Sequence, residues 1–88
     1  MIKLIIKKVS NYNYQFEDEL GNNYQLNMEF HGLNKKLEIG NIIFMPEQLL
    51  KNNDMYTFGP IKEELFDVDE YIKIIIDNKE YYLQRYYG

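Results

Sequence analysis

A chain of 88 residues with no cysteine and a net charge of −4 is long enough for one hydrophobic core without staples. The missing cysteine excludes disulfides, thiolate metal sites and thiol catalysis, and the negative balance disfavours nonspecific attraction to nucleic acid or an anionic membrane. Alanine and tryptophan are absent, while nine tyrosines and five phenylalanines are present, a composition that favours strands over helices.

From the start, Lys residues alternate with Ile and Leu up to Val9, without the continuous apolar run of an export signal. No stretch approaches the length of a membrane span, so the expectation is a cytoplasmic protein with no membrane partner. The first strand runs over about Ile2 to Val9. Ile2, Leu4 and Ile6 share one parity and Val9 has the other. A β-bulge at Lys7-Lys8 would return Val9 to the inner face and bend the strand, as closure of a small barrel requires.

Next comes a period-two hairpin. Tyr12, Tyr14 and Phe16 oppose Asn13, Gln15 and Glu17; after Asp18–Asn22, Tyr24, Leu26, Met28 and Phe30 oppose Asn23, Gln25, Asn27 and Glu29. One face is apolar and the other polar, and Gly21 and Asn22 are expected at positive φ in the turn. His31–Lys36 is a connection. Leu37–Asn41 leads into a strand over Ile42–Met45, with Gly40 at a position that needs positive φ or close backbone approach and with Ile39 and Ile42 pointing inward. Pro46 ends that strand and opens a single helical turn through Leu50. Lys51–Asp54 reads as a turn and Met55–Phe58 as a strand stopped by Gly59-Pro60.

Residues 61–69 form an acidic connection, either loop or short helix. The last segment, 70–88, is a second hairpin. Ile72, Ile74 and Ile76 alternate with Tyr71, Lys73 and Ile75, and Asp77-Asn78 supplies a two-residue turn. That register sets Ile74 opposite Tyr81, Ile72 opposite Leu83, and Glu70 opposite Arg85, a charge pair worth roughly 0.2–1 kcal/mol.

The order strand, strand, Gly turn, strand, connection, Gly-Asn, strand, strand over residues 2–60 resembles small OB-fold barrels of the S1 type, the class of bacterial translation initiation factor 1. The residues that carry the resemblance are Glu19-Leu20-Gly21-Asn22 and Leu37-Glu38-Ile39-Gly40-Asn41-Ile42. It implies topology. The RNA-binding members present basic residues on the barrel face, where this chain places Asn, Gln and Glu.

Chemistry is limited by inventory. Ser10, Thr57 and His31 are the only residues of their types. Each sits where a turn, strand or solvated loop accounts for it, so no catalytic residue is assigned. One histidine and no cysteine make zinc improbable. Glu63, Glu64, Asp67, Asp69 and Glu70 form an acidic surface without the spacing of a calcium loop. The glycines are too scattered for a phosphate loop. No metal or cofactor is expected. The aromatic residues are mostly core, but Tyr71, Tyr82 and Tyr86 share the outward parity of the last hairpin, and the long stem of Arg85 can carry its guanidinium to the rim. Exposed tyrosine with arginine is the composition of a recognition surface and also of a stacking platform for single strands.

The sequence therefore predicts one all-β domain over 1–88: a small OB-like barrel of about seven strands with one short helical turn and an added C-terminal hairpin. Residues 1–60 form the OB-like part, 61–69 the acidic connection and 70–88 the hairpin. The expected function is non-catalytic protein binding, as a small acidic inhibitor or adaptor occupying a basic groove of its partner. The alternative is single-stranded RNA or DNA binding.

Overall fold

A computed structural model describes residues 1–51, 55–62 and 71–86. Its strands are β1 (Ile2–Ser10), β2 (Asn13–Asp18), β3 (Asn23–Phe30), β4 (Ile42–Met45), β5 (Met55–Lys62), β6 (Tyr71–Ile76) and β7 (Lys79–Arg85), with a 3-10 turn over Glu47–Lys51 between β4 and β5. They close into one ring in the order β1-β2-β3-β5-β7-β6-β4. Closure leaves no open sheet edge. β3 and β5 run parallel; every other pair in the ring is antiparallel.

The inner face of every strand supplies the core. Leu4, Ile6, Phe16, Met28, Ile43, Met45, Tyr56, Phe58, Ile72, Ile74 and Leu83 are all buried, and Leu49 of the 3-10 turn closes one end. Each such side chain contributes about 1.5–3 kcal/mol of burial. The pairing of β1 with β2 slips between Ile6 and Lys8. This is the expected bulge, and it leaves Val9 packed against the core. The last hairpin has the expected register, Ile72 opposite Leu83 and Ile74 opposite Tyr81. Asp77 and Asn78 both take positive φ, 53° and 63°, the two-residue turn whose twist matches paired strands.

Several expectations are corrected. The C-terminal hairpin is not an addition to a closed barrel: it is inserted in the ring between β5 and β4. β5 does not stop at Gly59-Pro60 but runs through to Lys62. Its pairing with β7 shifts between Phe58 and Ile61, so the proline, which has no N–H to donate, sits in a bulge. Gly59 has φ 147°, and a Cβ there would lie 2.5 Å from the His31 carbonyl oxygen, so only glycine permits this approach. Tyr12 is not core. It is 57% exposed, because Asn11 takes φ 54° and pleating begins only at Asn13.

Gly21 takes positive φ but Asn22 does not. Asn22 instead donates its backbone N–H and Nδ2 to the Asp18 carboxylate, at 2.8 and 3.0 Å. Gly40 has the expected positive φ, 95°. Ile39 and Ile42, both expected inward, face out: Ile39 is 68% exposed and Ile42 half-buried, while Leu37 and Ile43 take the buried positions. The reason is a tight turn in which Asn41 N–H donates to Glu38 O and Glu38 N–H to Asn41 Oδ1, so strand alternation does not apply there. The expected Glu70–Arg85 pair involves a residue outside those described, as do the acidic residues Glu63, Glu64, Asp67 and Asp69.

Candidate binding face

With the inner rows committed to the core, chemistry lies on the outer rows and at the ends of the barrel. The outer row of β2 and β3 is made of amides. Asn13 Nδ2 donates to Asn27 Oδ1 and Gln25 Nε2 to Asn13 Oδ1, each at 3.0 Å. The side chains satisfy one another, and the surface carries little apolar area.

The opposite outer face differs. Register sets Ile5 of β1 beside Ile42 of β4, and Ile42 beside Ile75 of β6. All three face away from the core. Ile5 is 36% exposed and the other two are half-buried. At either end of this isoleucine row stands a carboxylate, Glu17 opposite Ile5 and Glu80 opposite Ile75. The next outer row reads Lys3, Phe44, Lys73, Tyr82 across β1, β4, β6 and β7. Lys73 Nζ lies 4.4 Å from the centre of the Phe44 ring and 3.5 Å from Glu80 Oε1. Tyr82 O–H donates to Glu80 Oε2 at 2.9 Å, which holds the tyrosine pKa above its ordinary value. The Tyr71 ring lies 6.4 Å from that of Tyr82.

The sequence-predicted patch is thus divided. Tyr71 and Tyr82 stand together on this face. Tyr86, 55% exposed, lies beyond the end of β7. Its N–H donates to Thr57 O at 2.7 Å, and its ring is 6.1 Å from that of His31. Arg85 turns to the inner side, its guanidinium carbon 4.8 Å from the centre of the Tyr56 ring. Sequence reasoning missed Ile5, Ile42, Phe44, Lys73 and Ile75. Parity puts Ile5, Lys73 and Ile75 on outward rows, but Ile42 was expected inward, and only the β1–β4 and β4–β6 registers bring the three isoleucines together.

Among the described residues, no group of three His, Asp or Glu is placed to hold a metal ion, and no helix is long and apolar enough to cross a membrane. Comparisons with protein families, curated proteins and solved structures find no match to this chain.

Proposed function

We propose that this chain is a non-catalytic protein-binding module that docks through the outer face of β1, β4, β6 and β7. The observation that carries the reading is the outward row Ile5–Ile42–Ile75 beside Phe44, Tyr71 and Tyr82. A contiguous apolar and aromatic patch on a solvent face marks an interaction surface, and tyrosines give wide contact at small cost in rotamer entropy. The role of an acidic inhibitor or adaptor, seated in a basic groove, is the finer version of this proposal.

A second reading has its own support. The row Lys3, Phe44, Lys73, Tyr82 alternates cations with rings, as a single-strand platform does. The carboxylates weigh against it. Glu80 engages Lys73, and Glu17 and Glu80 bracket the patch, so a phosphate backbone laid across the face meets negative charge at both margins.

The test uses three folded proteins: wild type, the Ile42→Asp/Ile75→Asp double variant, and Gln25→Asp as a control on the amide face. Circular dichroism verifies each fold. A host protein held by wild type and by the control, and lost from the double variant, supports the proposal. Retention of a labelled 12-nucleotide RNA or DNA by the purified protein, lost in the same double variant, would replace it with the second reading.

A further inference from the structure

At one mouth of the barrel, the connection between β3 and β4 is held by hydrogen bonds. His31 N–H donates to Phe58 O at 2.8 Å. Lys35 Nζ donates to Asp77 Oδ2 at 2.8 Å. Gly40 N–H donates to Ile6 O and Ile6 N–H to Asn41 O, at 2.8 and 3.0 Å. Leu37 is the buried plug beneath it. The connection is thus tied at both ends by backbone hydrogen bonds and crossed by one exposed ion pair, and a cleft opens beside it.

That cleft, about 340 Å³, lies between the connection and the Asn11–Tyr12 turn. Small-molecule sites begin at roughly 300 Å³; this one is open and mixed, with Asn11, Glu29 and Lys36 beside its aromatic residues. The floor is aromatic: Tyr14 and Phe30 meet edge to face, 5.7 Å between centres at 84°. At the rim stands Tyr12, the tyrosine whose parity belongs to the core but which the Asn11 backbone turns out. A departure from the local pattern of this kind is expected at functional sites.

The charges at the cleft are unevenly committed. Lys35 is held by Asp77, while Glu29, whose carboxylate also lines the cleft, lies 3.8 Å from His31, a charge pair only when the imidazole is protonated. Lys36 forms no ion pair among the described residues. It stands between this cleft and a neighbouring one of about 470 Å³, and it lines both together with Asn11 and Leu37. An aromatic floor, a rim tyrosine and a cation with no ion pair among the described residues define a ligand by chemistry.

We propose that this cleft binds a small planar ring carrying one anionic group, the ring against Tyr12 and the Tyr14–Phe30 floor and the anion on Lys36. Aromatic carboxylates and mononucleotides both carry such a ring and anion, and separate arms of the test distinguish them. Backbone amide resonances of the labelled protein are followed during titration with benzoate, with uridine 5′-monophosphate, with neutral benzamide and with inorganic phosphate. Saturable shifts centred on Tyr12, Lys36 and Leu37 are expected with benzoate or the nucleotide. Benzamide and inorganic phosphate should each bind at least tenfold more weakly. Tyr12→Ala and Lys36→Gln should each weaken the ring anion at least tenfold, with the melting temperature unchanged because both side chains are exposed. Absence of saturation with both ring anions, equal binding of benzamide, or indifference to both substitutions would overturn the assignment.

Discussion

Hairpin β2–β3 turns Tyr14, Phe16, Leu26 and Met28 into the barrel, and hairpin β6–β7 turns in Ile72, Ile74, Ile76 and Leu83. Inside, the two are equivalent staves. Outside they are opposites: one presents amides already bonded to one another, and the other presents Ile75, Tyr71 and Tyr82 beside Ile42 and Phe44. Their turns differ as well. The first adds a side chain to its backbone bonds: beside Asp18 N–H to Asn22 O and Gly21 N–H to Asp18 O, the Asp18 carboxylate accepts from Leu20 N–H, Asn22 N–H, Asn22 Nδ2 and Tyr24 O–H. The second is built by backbone alone, with two consecutive residues at positive φ. Equal inner rows with unequal outer rows separate what folds the barrel from what it offers a partner.

The largest effect is expected at the strand that joins the two hairpins. Gly59→Ala places a methyl group against the His31 carbonyl at a φ that alanine avoids and should destabilise by about 3 kcal/mol or more, read from the urea midpoint. The inner rows come next. Leu26→Ala and Ile74→Ala should each cost about 2–5 kcal/mol, alike in both hairpins. Gln25→Ala and Ile75→Ala, on the outer rows, should stay within about 1 kcal/mol. A cost at Ile75 equal to that at Ile74 would make the proposed binding face a second core.

Acid should separate the turns. Hydrogen bonds from Asn22 above all, with those of Tyr24 and Leu20, hold the Asp18 carboxyl below its ordinary pKa. A depressed folded pKa contributes stability that is present above the unfolded value, about 3.9, and is lost as pH falls through the folded one. Amide exchange at Leu20 and Asn22 should therefore quicken below about pH 4. Lys35 behaves in the opposite sense. Its hydrogen bond to Asp77 raises its pKa, so the contribution of this strap to stability is complete below the unfolded value, about 10.4, and is lost as pH rises through the folded one. In alkali the strap between the β3–β4 connection and the second turn should loosen, visible as faster exchange near Lys35.

The smallest effect concerns Tyr56, buried with its hydroxyl unpartnered among the described residues. Removing an unpaired buried hydroxyl relieves a desolvation cost, so Tyr56→Phe should be neutral or up to about 1 kcal/mol more stable. A clear loss of stability would mean that the hydroxyl has a partner, such as a buried water.

Much of the barrel was legible in the sequence because its signals are local. Alternation over Asn13–Phe30 and Tyr71–Leu83, the Lys7-Lys8 phase change and Gly40 each report a backbone geometry that neighbouring residues impose. What escaped depends on distant pairing or on turn detail. Gly59-Pro60 reads as a stop because its bulge is defined by β7, and Tyr12 reads as core because parity ignores the Asn11 turn. Of the candidate face, Tyr71 and Tyr82 were legible from parity. Ile5 and Ile75 had outward parity, but the row they form with Ile42 did not show, since the neighbours of a strand, and the outward turn of Ile42, are fixed only by the strands paired beside it.

The chain has no cysteine, so a single introduced one takes a photoreactive label at a chosen place. Labelled Tyr82→Cys and Gln25→Cys proteins, irradiated in extract of the host, compare the two outer faces directly. A discrete protein adduct is expected from position 82, lost when Ile42→Asp/Ile75→Asp is added, and none from position 25. Adducts from position 25 alone, or equal adducts from both positions, would contradict the proposed binding face.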